Sequence, residues 1–427
     1  MQKVLVITYY WPPAGGPGVQ RWLNFIKYLP ENGYEPLVYV PEKADYPIVD
    51  ESLKTEIPKV RVLSHPIFEP YRIAGWLSKK KTKRISSGLI FESGKQSLIE
   101  RLLLWVRGNF FIPDARKFWV KPSIAFLGDL IEKEAIEKII TTGPPHSVHL
   151  IGLGLKQQHQ VEWTADFRDP WTTIGYHKRL KLGKRAQKRH LQLESSVLGQ
   201  ADKLIVTSNH TKRQFEKLTD RPIEVITNGY EGERPTVALD RKFTLSHIGS
   251  LLTGRNPEAL WIALKELMSE VPEFKEHLSI QLVGVVSPRV SESLASHGLE
   301  AFTTHKGYIT HEAVLQVQAA SQVLLLLEID SMDTVGILPG KLFEYFNAKR
   351  PILAIGPTAW EAAELIESTQ SGKFFTHGEK KELKVLLLDW FERYQENRLF
   401  VASSNVDAYS RSRLTKALAN YLTWESS

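Results

Sequence analysis

Short apolar runs alternate with amphipathic stretches from one end of the chain to the other. This alternation constrains the fold more than any other feature. A run of five or six apolar residues is a strand length. A strand buried on both faces reads as continuously apolar, as in a parallel sheet. The amphipathic stretch between two such runs is then the helix that carries the chain back to start the next parallel strand. Seven strand segments fit the first half, from Val4–Tyr9 to Glu224–Thr227, and six fit the second, from Phe243–Ile248 to Lys373–Phe375. Helices fit between them, among them Val19–Leu29, Ser123–Glu137, Ser147–Gln157, Leu182–Leu198 and Lys341–Asn347. The expectation is an α/β protein of two Rossmann-like βαβ domains.

At 427 residues the chain is too long for one ordinary core. The segment from Asn228 to Pro235 is rich in turn formers and predicts the linker. The first domain is expected over 1–232 and the second over 243–407. A last helix, near Ala408–Tyr421, follows the completed second sheet. It is expected to cross back, so that 408–427 completes the first domain. Residues 66–120 break the pattern and read as an insertion. The chain has no cysteine, which removes disulfides, thiolate metal sites and thiol catalysis. No stretch approaches the ~20 apolar residues of a membrane span, and the first strand begins almost at the N-terminus. A cytoplasmic protein is expected, acting at most at the inner face of a membrane. Net charge is +7, and five positive charges fall between Lys79 and Arg84. That run reads either as a solvated loop or as a contact with an anionic membrane surface. The basic residues are not interleaved with aromatics as in a nucleic-acid module, so nucleic acid is not an expected partner.

Five segments carry candidate chemistry. Tyr9 to Arg21 follows the first strand and opens the first helix. Gly16 and its neighbours there make either a plain turn or a ligand-lining loop. The glycines miss the dinucleotide spacing. Thr141 to His149 sits at a second strand–helix junction. Its His149 is either packed or a contact for a sugar, and a metal pair with His146 lacks a third ligand. Asp166 to Trp171 places two carboxylates around Arg168 at a strand end, either as an ion pair or as functional charge. His247 to Pro257 ends a strand at Gly249 and brings Arg255, whose forked guanidinium suits a diphosphate. Asp333 to Pro351 is the most informative. A loop through Gly336, Ile337 and Leu338 leads into a helix with Lys341 in its first turn. Amides at such a terminus, with the lysine, suit phosphates. One turn later Glu344 suits a ribose diol. No Asp-x-Asp spacing is present, so no metal site is expected and the fixed cations would do that work.

Together these segments resemble the GT-B glycosyltransferases, and within them retaining family 4. The likeness spans nearly the whole chain. It rests on the glycine-rich first loop, the strand over Asp202–Ser208, Asn228 with Gly229, the loop after Gly249, and Pro339 to Pro351. The resemblance implies two domains facing across a cleft, with acceptor on the first and donor on the second. It also implies a ribose-holding role for Glu344 and a diphosphate-binding basic pair, matched by Arg255 and Lys341. The family's earlier glutamate is replaced here by Gly336. The Pro-x-Lys-x-x-Glu-Tyr pattern of a subset of similar enzymes is kept.

The expected function is transfer of a hexose or related sugar from a nucleoside-diphosphate sugar to a glycan or lipid-linked acceptor. Anomeric configuration would be retained, without metal or cofactor, in envelope polysaccharide synthesis. Arg255 and Lys341 would stabilise the leaving diphosphate, and Asp166 or His149 would position sugar hydroxyls. Gly16, Gly249, Gly336, Ile337, Leu338 and Glu344 would line the donor. Two other readings stand beside it: a non-catalytic sugar-nucleotide-binding partner, and a GT-B-type sugar-nucleotide epimerase.

Overall fold

The computed structural model describes residues 1–69, 98–173, 175–178 and 180–424. The basic run from Lys79 to Arg84 lies outside the described residues. The chain divides into two compact units. One comprises Met1–Asn228 with Arg411–Ser427, the other Gly229–Ser410.

The first unit holds a seven-stranded parallel sheet in the order β3-β2-β1-β4-β5-β6-β7. Its strands are β1 (Gln2–Thr8), β2 (Tyr34–Glu42), β3 (Arg61–Pro66), β4 (Lys138–Gly143), β5 (Glu162–Phe167), β6 (Lys203–Val206) and β7 (Ile223–Val225). Successive side chains of a strand point to opposite faces, so each strand feeds two cores. In β1, Leu5 and Ile7 join one apolar cluster while Val4 and Val6 join another. The longer helices are α1 (Pro17–Tyr28), α2 (Leu98–Phe110), α3 (Lys117–Glu134), α4 (Ser147–Gln158), α5 (Lys184–Gln200) and α6 (Asn209–Phe215). The C-terminal helix Arg411–Thr423 packs against α1, with Leu414, Leu418 and Leu422 in the same cluster as Trp22 and Ile26. Its C-terminal end is held by two lysines. Lys138 and Lys203 donate to the Leu422 carbonyl at 2.9 and 3.2 Å, where cations oppose the helix dipole favourably.

The α3 helix begins at Lys117, six residues before the expected Ser123. Pro122 looks like a helix-opening residue but lies inside. Burial explains the earlier start. Trp119 stacks on Tyr39 with ring centroids 5.0 Å apart, and the Tyr39 hydroxyl donates to Ser123 at 2.9 Å. These contacts sit on either side of the proline.

The second unit holds a six-stranded parallel sheet in the order β10-β9-β8-β11-β12-β13. Its strands are β8 (Phe243–Ile248), β9 (Leu278–Val283), β10 (Thr303–Gly307), β11 (Val323–Leu327), β12 (Ile352–Gly356) and β13 (Gly372–Thr376). Here β11 is buried throughout, with Val323, Leu325 and Leu327 on one face and Leu324 and Leu326 on the other. The helices are α7 (Glu258–Glu270), α8 (Pro272–His277), α9 (Pro288–Ser296), α10 (His311–Ala320), α11 (Gly340–Ala348), α12 (Glu361–Ser368) and α13 (Lys380–Gln395). The short α8 is not expected from the sequence. Both units are therefore Rossmann-like α/β domains.

Candidate functional site

In the second unit the strand order reverses between β8 and β11. The connections leave these neighbours toward opposite faces, which opens a crevice at their carboxyl ends. Four predicted residues collect at or beside this point. Lys341, in the first turn of α11, donates to the Ile248 carbonyl at 2.8 Å and lies 3.3 Å from His247 Nε2. His247 Nδ1 sits 3.2 Å from the Leu325 carbonyl. That carbonyl can only accept, so Nδ1 carries the imidazole proton and the Nε2 lone pair faces the ammonium. Burial first, and then the Lys341 charge, hold His247 neutral. Burial, aided by the Arg255 guanidinium, pushes Lys341 down to about 7, while Glu328 and Glu344 pull upward.

Arg255 forms a forked pair with Glu328, from Nε and Nη2 to the two carboxylate oxygens at 3.1 Å each. Glu328 follows β11 directly and its side chain is 1% exposed, against 29% for Arg255. Glu344 accepts from Gln318 Nε2 at 2.8 Å. Lys341 and Glu344, one turn apart on α11, are thus each engaged with other partners. Gly249 has φ 100°, a left-handed conformation that favours glycine, and a Cβ there would come within 3.8 Å of the Lys341 ammonium.

The loop before α11 corrects one expectation. The Ile337 N–H already donates to the Thr334 carbonyl at 2.9 Å, so it is not part of an amide cradle for phosphate. A 3-10 turn at Met332–Thr334 runs on into this bond, and the Trp360 indole pins the Ile337 carbonyl at 2.8 Å. Leu338 points into the core. Gly336 is partly exposed beside it.

The remaining predicted residues belong to the first unit. Its strand order reverses between β1 and β4. Gly16 caps α1 with φ 112° and no side-chain cap, so this helix start carries no internal counter-charge. Asp166 is fully buried and already has its partners. It pairs with Arg21 at 3.0 Å and accepts from the Trp22 indole at 2.8 Å and the Thr142 hydroxyl at 2.7 Å. Arg21 also donates to the Thr227 carbonyl at 2.7 Å. A carboxylate so engaged braces α1 against the sheet and is not positioned to hold a sugar hydroxyl. His149 is fully buried as well. The Trp163 indole donates to Thr141 Oγ1 at 2.9 Å, and that hydroxyl lies 2.9 Å from His149 Nδ1. The His149 ring stacks on Phe167 at 4.3 Å.

One glycine of the first loop serves a neighbour within the protein. A Cβ at Gly18 would lie 1.4 Å from Arg168 Nη1, so the guanidinium fills that space. Arg168 in turn donates to the Gly143 carbonyl at 3.2 Å and to the Pro144 carbonyl. It thereby fastens the loop after β4 to the end of β5.

Four buried histidines form a linked cluster that includes Trp171. His146 stacks on its ring at 4.9 Å, His190 accepts from its indole at 3.1 Å, His177 meets His190 edge-on at 4.6 Å, and His149 follows His146 along α4. Burial holds all four below the usual histidine value, His149 at about 3 and His177 at about 4. The unfolded chain therefore takes up protons first as pH falls through about 6.5. Stability is expected to drop from that point and to level off only below the folded values. At pH 5.5 His149 and His177 should each cost about 1 kcal/mol relative to pH 7. Urea midpoints across pH 7 to 5, compared between the unaltered chain and His177→Gln, measure this, since the variant should lose part of the slope.

Sequence reading missed Glu328 and Gln318. A signal for the first was present, a carboxylate directly after five apolar residues of a central strand. Gln318 had none, because only tertiary packing brings the last turn of α10 against α11. Among the described residues no group of three or more histidine, aspartate or glutamate side chains is placed to hold a metal ion. No helix among them is long and apolar enough to cross a membrane.

No protein-family model and no curated protein sequence matches the chain. Solved structures do. HepE of Anabaena, in complex with UDP and glucose, matches with a TM-score of 0.61 at 14% identity, over 100% of both chains. Sucrose-phosphate synthase of Thermosynechococcus elongatus matches at 0.57 and 14%, over 99% of this chain and 95% of that one. The UDP-GlcNAc 2-epimerase of Methanocaldococcus jannaschii matches at 0.53 and 10%, over 100% of both. At these identities the matches establish the fold, two parallel-sheet Rossmann-like domains of the GT-B class.

Proposed function

We propose that the protein is a glycosyltransferase that moves a hexose or related sugar from a nucleoside-diphosphate sugar to a glycan or lipid-linked acceptor. Anomeric configuration is retained, no metal takes part, and the setting is cell-envelope polysaccharide synthesis. The observation that carries the reading is the cationic pair at the β8–β11 switch point of the second unit. Lys341 titrates near neutrality there, and the Glu328 carboxylate fixes the Arg255 guanidinium. HepE, which has the same fold, is seen with UDP and glucose. The barrier to transfer is departure of an anionic diphosphate, and preset positive charge where that anion forms lowers it most. Glu344, steadied by Gln318, accepts the ribose hydroxyls. With retention and no protein nucleophile, the acceptor oxygen bonds to the anomeric carbon from the leaving-group side. The carbon–oxygen bond to the diphosphate breaks, its electron pair leaves with the diphosphate, and the acceptor hydroxyl's proton passes to the departing phosphate oxygen on the same face.

The test is a panel of UDP-, GDP-, ADP- and dTDP-sugars. The cognate donor at about a hundred times its Kd should stabilise the fold by about 2.7 kcal/mol, read as a rise in melting temperature. Product analysis with and without acceptor then decides the class. Epimerised or cleaved donor without acceptor would make the protein an epimerase, as its Methanocaldococcus jannaschii neighbour is. Binding without turnover would make it a carrier or partner.

Peripheral membrane contact is part of the proposal. Exposed Phe68, Phe110, Phe118 and Trp105 lie in the first unit. The Lys117 ammonium is 5.2 Å from the Phe118 ring. The Lys79–Arg84 run belongs to the same stretch of sequence. Juxtamembrane lysines and arginines contribute about 1 kcal/mol each near an anionic bilayer. Flotation with phosphatidylglycerol vesicles should recover the protein at low salt, and neutral phosphatidylcholine vesicles should not.

A further inference from the structure

Asp169 differs from its neighbour Asp166 in the respect that matters for binding. Asp166 is buried and fully engaged. Asp169 is partly exposed and accepts a hydrogen bond from no described residue. The charge that acts on it is the adjacent Arg168, whose guanidinium is committed to the Gly143 and Pro144 carbonyls. Burial pushes the Asp169 carboxyl above its usual value. A carboxylate drawn partly out of water without a partner is a cost to the fold.

The backbone around it is nevertheless held firmly. On one side the Arg168 N–H donates to the Gly143 carbonyl at 3.0 Å, and the Thr207 hydroxyl donates to the Arg168 carbonyl at 3.0 Å. On the other side, Trp171 is 1% exposed and stacked on His146. Asp169 therefore sits on a firmly held backbone just beyond β5, one strand from the β1–β4 switch point of the first unit. Ligands of such sheets bind at that end.

We propose that Asp169 is the acceptor-recognising residue of the first unit, its carboxylate accepting hydrogen bonds from hydroxyls of a neutral sugar. The proposal rests on the glycosyltransferase reading and deepens it by naming the acceptor's chemistry at this subsite. An ionised carboxylate takes two hydroxyl donors, as a vicinal diol offers them. It repels a uronate or phosphate in the same place, because the Arg168 N–H donors beside it are committed to the Gly143 and Pro144 carbonyls. Acceptors neutral at this position bind, and acidic ones do not.

The test uses the full chain and methyl glycosides as probes, with binding read by saturation-transfer NMR. Methyl glucoside, methyl galactoside and methyl N-acetylglucosaminide represent neutral sugars, and methyl glucuronide the acidic class. At least one neutral glycoside should bind, and the glucuronide should not. Asp169→Asn should weaken the neutral probe about ten- to a hundredfold, the range of a lost hydrogen bond to a charged group. Its melting temperature should be no lower than that of the unaltered chain and its nucleotide-sugar thermal shift should match, since the carboxylate accepts no hydrogen bond from a described residue and its burial costs the fold. Protonation should mimic the substitution, so probe binding should fade at acid pH in the unaltered chain and stay level in the variant. Binding of glucuronide as tightly as the neutral probes, no glycoside binding at all, or equal binding by Asp169→Asn overturns the proposal. A melting temperature that falls with probe binding also overturns it, as a structural role. If the nucleotide-sugar panel fails as well, the glycosyltransferase reading falls with it. If that panel succeeds, only the acceptor assignment falls.

Discussion

Replacing Asp166 with alanine is expected to cost about 3–5 kcal/mol of stability, the usual effect of removing one partner of a buried ion pair. Arg21 and Asp166 are both fully buried, 3.0 Å apart. Without the carboxylate, the guanidinium keeps the Thr227 carbonyl as its one remaining bond. The Trp22 indole and the Thr142 hydroxyl lose their acceptor too. Several kcal/mol is a large share of the roughly 5–15 that holds an ordinary domain folded. The variant should therefore unfold early in urea, with the first unit melting ahead of the second. Two units need not unfold together, so fluorescence and circular dichroism should be followed separately. The double replacement Asp166→Leu with Arg21→Met should recover much of the loss, because a buried pair is often replaceable by apolar groups of similar volume. A single variant within about 1 kcal/mol of the unaltered chain would show that the carboxylate is not a brace. Any loss of activity in Asp166→Ala is to be read through this unfolding.

The same residue shows where sequence reading stops. Asp166 and Asp169 stand three apart at a strand end, with the arginine between them, and nothing in the sequence says which is buried. Burial depends on Arg21 and Trp22, far earlier in the chain. The sheets are legible because their signal is local. An unbroken run such as Val323–Leu327 has few other uses than a strand covered on both faces. Glu328 is legible in hindsight for the same reason. Helix starts are less so. Pro122 marks a helix opening in a chain read locally, and only the stacking of Trp119 on Tyr39 shows that the helix starts earlier. The glycines of the first loop suggest room for a ligand, whereas Gly18 makes room for Arg168. A glycine reports that something approaches the backbone without saying what.

Lys341→Met should reduce kcat/KM for the nucleotide sugar about a hundred- to a thousandfold, comparable to deleting one preset donor at a site of developing negative charge. The same variant should be no less stable than the unaltered chain, and this separates the two effects. Lys341 is held at about 7 in the folded protein, by burial and then by Arg255, against about 10.4 when unfolded. Between these values the unfolded chain binds the extra proton. Stability supplied by the rest of the fold is therefore reduced at neutral pH and rises as pH climbs from about 7 toward 10. Removing the amine removes that dependence and the cost of burying it. The fold keeps a strained cation at the switch point, as expected for a group whose value lies in binding. Donor binding carries the opposite sign. A bound diphosphate favours the charged ammonium and raises its titration point. Affinity should therefore be steady below about pH 7 and fall by up to about tenfold per unit above it, until the bound-state value is reached. Lys341→Met should flatten that alkaline limb, while Gln318→Ala, which removes the hydrogen bond to Glu344, should keep it. Isothermal titration of the donor from about pH 6 to 9 gives both profiles. An unaltered chain whose affinity is level across that range would remove Lys341 from the diphosphate site.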